Sequence, residues 1–118
     1  MARDVMAEIR EETAKNKVIV YMKGTPSFPQ CGFSAATVEA LRDVGAPFAH
    51  VNILEDQEKR EAIKAFSNWP TIPQVYINGK FIGGCDIVRE LYASGELEEL
   101  IKAAFAEDEA SSGSVSTN

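Results

Sequence analysis

A chain of 118 residues, 45% hydrophobic and 25% charged, has the length and composition of one ordinary globular domain. Its net charge is −6, from 12 basic and 18 acidic residues, which favours solubility and argues against nucleic acid as the main partner. No apolar run approaches the ~20 residues that span a bilayer as a helix, so no membrane partner is expected.

The opening stretch, "MARDVMAEIREETAKNK", lacks the apolar core of a secretory signal. Asp4, Glu8, Glu11 and Glu12 also fit poorly with an organellar presequence. A cytoplasmic location is expected; a mature organellar form would present the same sequence. Val5, Met6 and Ile9 recur at helical spacing and predict a helix over about residues 3–14. "KVIVYMK" predicts a buried strand, because Val18 to Met22 is a continuous apolar run rich in branched residues. "GTPSFPQ" is a loop broken by Pro26 and Pro29. From Gly32, "GFSAATVEALRDVG" predicts a helix with Val38 and Leu41 inward and Gly45 as its stop.

"PFAHVNIL" alternates as a second strand, and His50 is read as a strand residue rather than a ligand or base. "EDQEKREAIKAFSN" predicts a helix with Ile63 and Phe66 on one face. Asn78–Gly79, between "VYI" and "KFIGG", is the strongest hairpin signal in the chain. Asp86 is expected to cap "IVRELYAS", which Gly95 ends. A last helix starts near Glu96, with Leu97, Leu100, Ile101 and Phe105 on its apolar side. The nearly apolar-free "EDEASSGSVSTN" predicts a disordered acidic, serine-rich tail at 107–118 behind a domain at 1–106. The order α-β-α-β-α-β-β-α-α implies a mixed sheet: a parallel pair joined by a right-handed crossover, then an antiparallel hairpin, with helices on both faces.

Cys31 falls where a loop meets a helix start. Free N–H groups and the helix dipole there favour an anion, and Lys23 adds positive charge. Both effects favour thiolate, the form that attacks sulfur or binds iron; the plainer alternative is a buried structural cysteine. A dithiol mechanism needs a second thiol three residues on, where Ser34 stands. A lone thiolate can form a mixed disulfide with a small thiol, or share a metal with thiolates from outside. An iron–sulfur cluster normally takes four cysteine sulfurs, so one chain cannot close the site, whereas two chains and two exogenous thiols could. Cys85 reads as a half-buried thiol rather than the nucleophile.

In "NWPTIPQVY", Pro73 is either an ordinary trans proline in a rigid turn or a cis one beside an extended-peptide site. Asp86, after the flexible Gly83–Gly84, caps a helix or binds an ammonium group. Arg60 and Lys64, four apart, suit a carboxylate, although a solvated charged face is the commoner meaning.

Together, "MKGTPSFPQCGFS", "SNWPTIPQVYINGKFIGGCD" and the element order resemble the monothiol, CGFS-type glutaredoxins of the thioredoxin-like superfamily, over about residues 3–106. The resemblance implies an α/β thioredoxin-like fold with a four-stranded mixed sheet flanked by helices. It implies a cis bond at Ile72–Pro73 and a glutathione groove beside Cys31. Lys23, Arg60 and Lys64 match positions that hold the glycyl carboxylate, and Thr71 and Ile72 those that pair with the cysteinyl backbone. Gly84, Cys85 and Asp86 match the γ-glutamyl end, and Gly32 and Phe33 line the cysteine loop.

The resemblance further implies a [2Fe–2S] cluster bridging a homodimer through Cys31 of each chain and two glutathione thiolates. Transfer to apo iron–sulfur proteins and a BolA-like partner are implied as well. A weak glutathione-dependent disulfide oxidoreductase activity through Cys31 is the alternative function. An adaptor that uses its cluster as a sensor is a third, and the sequence does not separate donor from sensor.

Overall fold

The computed structural model describes the backbone of residues 3–116 and the side chains of residues 3–107. In chain order the elements are α1 (Val5–Lys15), β1 (Val18–Met22), α2 (Gly32–Val44), β2 (Ala49–Asn52), α3 (Gln57–Ser67), β3 (Gln74–Ile77), β4 (Lys80–Gly83), α4 (Cys85–Ser94) and α5 (Glu96–Ser116). A short 3-10 turn, Ile53–Glu55, links β2 to α3. The four strands form one sheet in the order β2-β1-β3-β4.

β1 is central because every one of its five residues is buried. It pairs in parallel with β2 and antiparallel with β3. Val18, Val20 and Met22 face Val38 and Leu41 of α2, Val88 of α4, and Leu97 and Ile101 of α5. Ile19 and Tyr21 face the other way, toward Ile9 of α1, Ile63 of α3 and Tyr76 of β3. Full burial of one such side chain is worth roughly 1.5–3 kcal/mol, so this strand alone commits the chain to two cores.

Asn78 and Gly79 both have positive φ, at 53° and 80°. That is the backbone of a tight two-residue hairpin, which only residues tolerant of the left-handed region adopt cheaply. Antiparallel pairing of β3 with β1 then sets Gln74 opposite Tyr21, at the end of β1. Gly83 lies opposite Val75, so β4 ends on the same side. The end of β1, the start of α2, the chain before β3 and the start of α4 therefore meet at one edge of the sheet.

α1 is tied to α3 by charge. Arg3 bonds Glu8 and Asp56, while Lys59, buried at the start of α3, reaches Glu12 at 2.5 Å and Glu8 at 3.3 Å. Glu12 also accepts the buried Tyr21 hydroxyl at 2.8 Å. Without Glu8 and Glu12 the buried Lys59 charge would be stranded, which is costly out of water.

Three expectations change in detail. Asp86 does not cap α4: Gly84 is the cap residue, its carbonyl accepts from Val88 at 3.0 Å, and Asp86 sits exposed in the first turn. The helix starts early because Ile87 packs directly on Gly83, where a Cβ would lie 2.7 Å from Ile87 carbons. The second strand is shorter than "PFAHVNIL", since Asn52 turns its side chain to cap the 3-10 turn. On α5, Leu100 is 38% exposed while Ala104 is buried, because Leu97, Ile101 and Ala104 define the inward stripe. The last helix, α5, begins at Glu96 as expected and runs to Ser116; the side chains of the tail from residue 108 on lie outside the described residues. No helix among the described residues is long and apolar enough to cross a membrane.

Candidate functional site

Cys31 is the N-cap residue of α2, with extended backbone at φ −153° and ψ 136°. Its position is fixed from the loop side. Gln30 N–H donates to the Lys23 carbonyl at 2.9 Å, and Thr25 and Phe28 exchange two backbone hydrogen bonds. Gly24 makes this tight return possible: φ is +92°, and a Cβ would sit 2.5 Å from the Phe28 carbonyl oxygen. Asn52 Oδ1 accepts from the Gly24 N–H at 2.9 Å and from the Leu54 N–H at 3.1 Å, which ties the loop to the end of β2.

Ser34, fully buried, closes the arrangement. Its Oγ accepts from the Lys23 N–H at 3.1 Å, linking the end of β1 to the first turn of α2. The Ser34 backbone N–H, directed at Cys31, does most to pull the thiol below its ordinary range. Burial opposes the shift, while the Phe33 N–H, the Lys23 charge and the Ser34 hydroxyl add to it. Cys31 is a free, half-exposed cysteine with its sulfur biased toward thiolate. The C-x-x-S spacing is the one sequence signal at Ser34, and by itself it reads only as a missing thiol. Asn52 gave no signal at all, because its partner Gly24 lies 28 residues away.

Beside Cys31 opens a cleft of about 500 Å³. Lys23, Arg60 and Lys64 form its cationic wall, Thr71, Ile72 and Pro73 a second side, and Gly84, Cys85 and Asp86 the far end, with Phe33 at the rim. Of the positions singled out from the sequence, only Gly32 does not line it; as the first residue of α2, Gly32 is exposed with open space about it. Trp69, Pro70 and Ile87 line the cleft as well, and none had been singled out as a contact. The Ile72–Pro73 bond is cis. Cys85 is buried rather than half-buried.

Among the described residues Lys23 and Arg60 make no ion pair, and Lys64 reaches only Glu61 of its own helix, at 3.3 Å. Three cations converging on one cleft of an acidic chain select an anionic ligand. The cleft therefore combines three cationic side chains with a sulfur biased toward thiolate. No group of three or more His, Cys, Asp or Glu among the described residues could enclose a metal ion. Any metal bound by Cys31 needs ligands from another molecule.

Known proteins share this chain's sequence pattern and fold. The family model for glutaredoxin matches residues 18–82. An uncharacterised monothiol glutaredoxin of Synechocystis sp. is 51% identical over 106 residues, covering 90% of this chain and 99% of that protein. A probable monothiol glutaredoxin 2 of Rickettsia conorii is 54% identical over 95 residues, covering 80% of this chain and 89% of its own length. The solution structure of a reduced, apo poplar glutaredoxin superimposes with a TM-score of 0.76 at 48% identity, covering 85% of this chain and 92% of that one. With its thioredoxin-like sheet, its cysteine at the start of α2 and no second thiol at position 34, the chain belongs to the glutaredoxin family, among the monothiol members.

Proposed function

We propose that the protein binds a [2Fe–2S] cluster as cargo between two copies of itself and passes it to apo iron–sulfur proteins, with glutathione as co-ligand. The observation that carries this reading is the pairing of one accessible sulfur, biased toward thiolate, with three cationic side chains in the same cleft. Cys31 supplies one sulfur per chain. Lys23, Arg60 and Lys64 hold the glycyl carboxylate of glutathione by charge-assisted bonds. Thr71 and Ile72 meet its cysteinyl backbone, and Asp86 with the first turn of α4 takes the γ-glutamyl end. Glutathione held this way brings its own thiolate next to Cys31, and two such halves make the four sulfurs a cluster requires.

Because the tripeptide is held without a covalent bond, its departure opens the ligand set and releases the cargo. Phe33, 64% exposed, and Phe28, 75% exposed, flank Cys31 and give a second copy or a BolA-like partner an apolar rim to cover. Anaerobic reconstitution with iron, sulfide and glutathione tests the assignment. The parent gains the absorbance of a [2Fe–2S] cluster and sediments as a dimer, and Cys31→Ser does neither; a Cys31→Ser protein that does both refutes it.

The depressed Cys31 thiol supports a second activity at the same atom. Cys31 thiolate attacks the glutathione sulfur of a glutathionylated protein and expels the protein thiolate. Free glutathione thiolate then attacks the Cys31–glutathione disulfide, releasing oxidised glutathione and restoring the Cys31 thiolate. Rapid turnover of a glutathionylated substrate by the cluster-free protein would promote this activity to the principal one.

A further inference from the structure

The first residue of β3 is a glutamine with no exposed surface. A buried primary amide is expensive unless all its hydrogen-bonding capacity is used, and here both ends are engaged. Gln74 Nε2 donates to the Trp69 carbonyl and to the Thr71 carbonyl, each at 3.1 Å. Tyr76, two residues on and also buried, donates its hydroxyl to Gln74 Oε1 at 3.0 Å. Two carbonyls facing one end of the amide require the NH₂ there, which fixes its orientation.

The same segment is held from its other side. Trp69 N–H donates to Ser67 Oγ at 3.1 Å and to the Lys64 carbonyl at 3.2 Å. The backbone of Trp69 is thus clamped at both its N–H and its carbonyl, and the indole lies across Phe81 with ring centroids 6.1 Å apart. Thr71, whose carbonyl shares the clamp, is exposed in the cleft.

We propose that Gln74 is a positioning residue: its amide locks the Trp69–Thr71 backbone into the shape that the cleft offers to a peptide ligand. An apolar residue at position 74 would fill the same space in the core, but would leave two inward carbonyls and the Tyr76 hydroxyl without partners. The segment would then turn its carbonyls outward to water, and Thr71 would move with them. The ligand affected is the one assigned above, so the proposal rests on the cleft being a glutathione site.

Gln74→Glu and Tyr76→Phe test it. The first keeps the shape and the acceptor for Tyr76 but removes both donors; the second keeps the amide and frees its anchored end. Trp69 is the only tryptophan, so acrylamide quenching of its fluorescence reads this segment directly. Gln74→Glu should bind glutathione about tenfold more weakly by calorimetry, as expected for two lost buried hydrogen bonds, and Tyr76→Phe about threefold. Trp69 should become more accessible to quencher in both.

A purely structural role lowers the unfolding temperature but leaves affinity and quenching of the folded variants at parental values, and that result overturns the proposal. If Gln74→Glu does not fold, the same two readouts on Tyr76→Phe decide. If the parent itself does not bind glutathione, the functional assignment fails, while unchanged quenching in the variants still separately refutes the positioning role.

Discussion

Gly83→Ala should damage the protein in a way that can be traced atom by atom. At Gly83 φ is +156°, and an added Cβ would lie 2.7 Å from both Cβ and Cγ2 of Ile87 and 3.1 Å from its Cδ1. Ile87 Cβ is attached to the first turn of α4, so no rotamer change relieves that contact. The turn itself must move outward by several tenths of an ångström, and it carries Cys85, Asp86 and Ile87, one end of the cleft. Backbone strain and overpacking together cost about 2–4 kcal/mol. For a domain of this size that is a fall in Tm of roughly 10 °C. Glutathione affinity measured on the folded variant should fall as well. Ile87→Ala in the same background removes Cγ2 and Cδ1 but keeps the Cβ, so it should restore only part of the loss. A Gly83→Ala protein with parental Tm and parental glutathione affinity would refute the claim that α4 is seated on Gly83.

Other consequences are simpler to state. Arg60→Glu should weaken glutathione binding by about tenfold or more, and the loss should shrink at high salt, since a charge-assisted contact becomes a repulsion. Iodoacetamide should alkylate Cys31 at a pH below that of a free thiol and leave buried Cys85 untouched, and Ser34→Ala, which removes the hydroxyl but keeps the backbone N–H that does most, should move the Cys31 half-point upward only slightly. The Arg3 guanidinium holds the Glu8 and Asp56 carboxyls down at about 2, from ordinary values of 4.5 and 3.8. Folded-state values below unfolded ones add stability that is complete above about pH 4.5 and lost as pH falls toward 2. The Tm difference between the parent and Arg3→Ala should therefore vanish across that window, and salt should narrow it at any pH because the groups are exposed.

What the sequence made legible was local. The branched run Val18–Met22, the Asn78–Gly79 turn and the stop at Gly45 each follow from backbone and burial rules acting over a few residues. So did the site's chemistry at Cys31, because a thiol ahead of a helix start is a local feature. Motif resemblance supplied the remote members, since Lys23, Arg60 and Asp86 meet only after the strands pair. Lys59 shows what stayed hidden: it sits in "EDQEKRE", which reads as a solvated helix face, yet it is buried against Glu12, 47 residues away. Ser34, Asn52 and Gln74 escaped for the same reason, as polar residues whose roles depend on partners the fold delivers. Leu100 and Ala104 changed places because composition favours the larger side chain, whereas helix geometry favours the one on the inward stripe.

The most direct test is a count of glutathione in the loaded protein. Cluster-bearing dimer, passed anaerobically through a desalting column and then acid-quenched, should release one glutathione per chain and one [2Fe–2S] unit per pair of chains. Iron and sulfide retained in full with no glutathione released would contradict the account, because Cys31 would then be completing its ligand set by some other means.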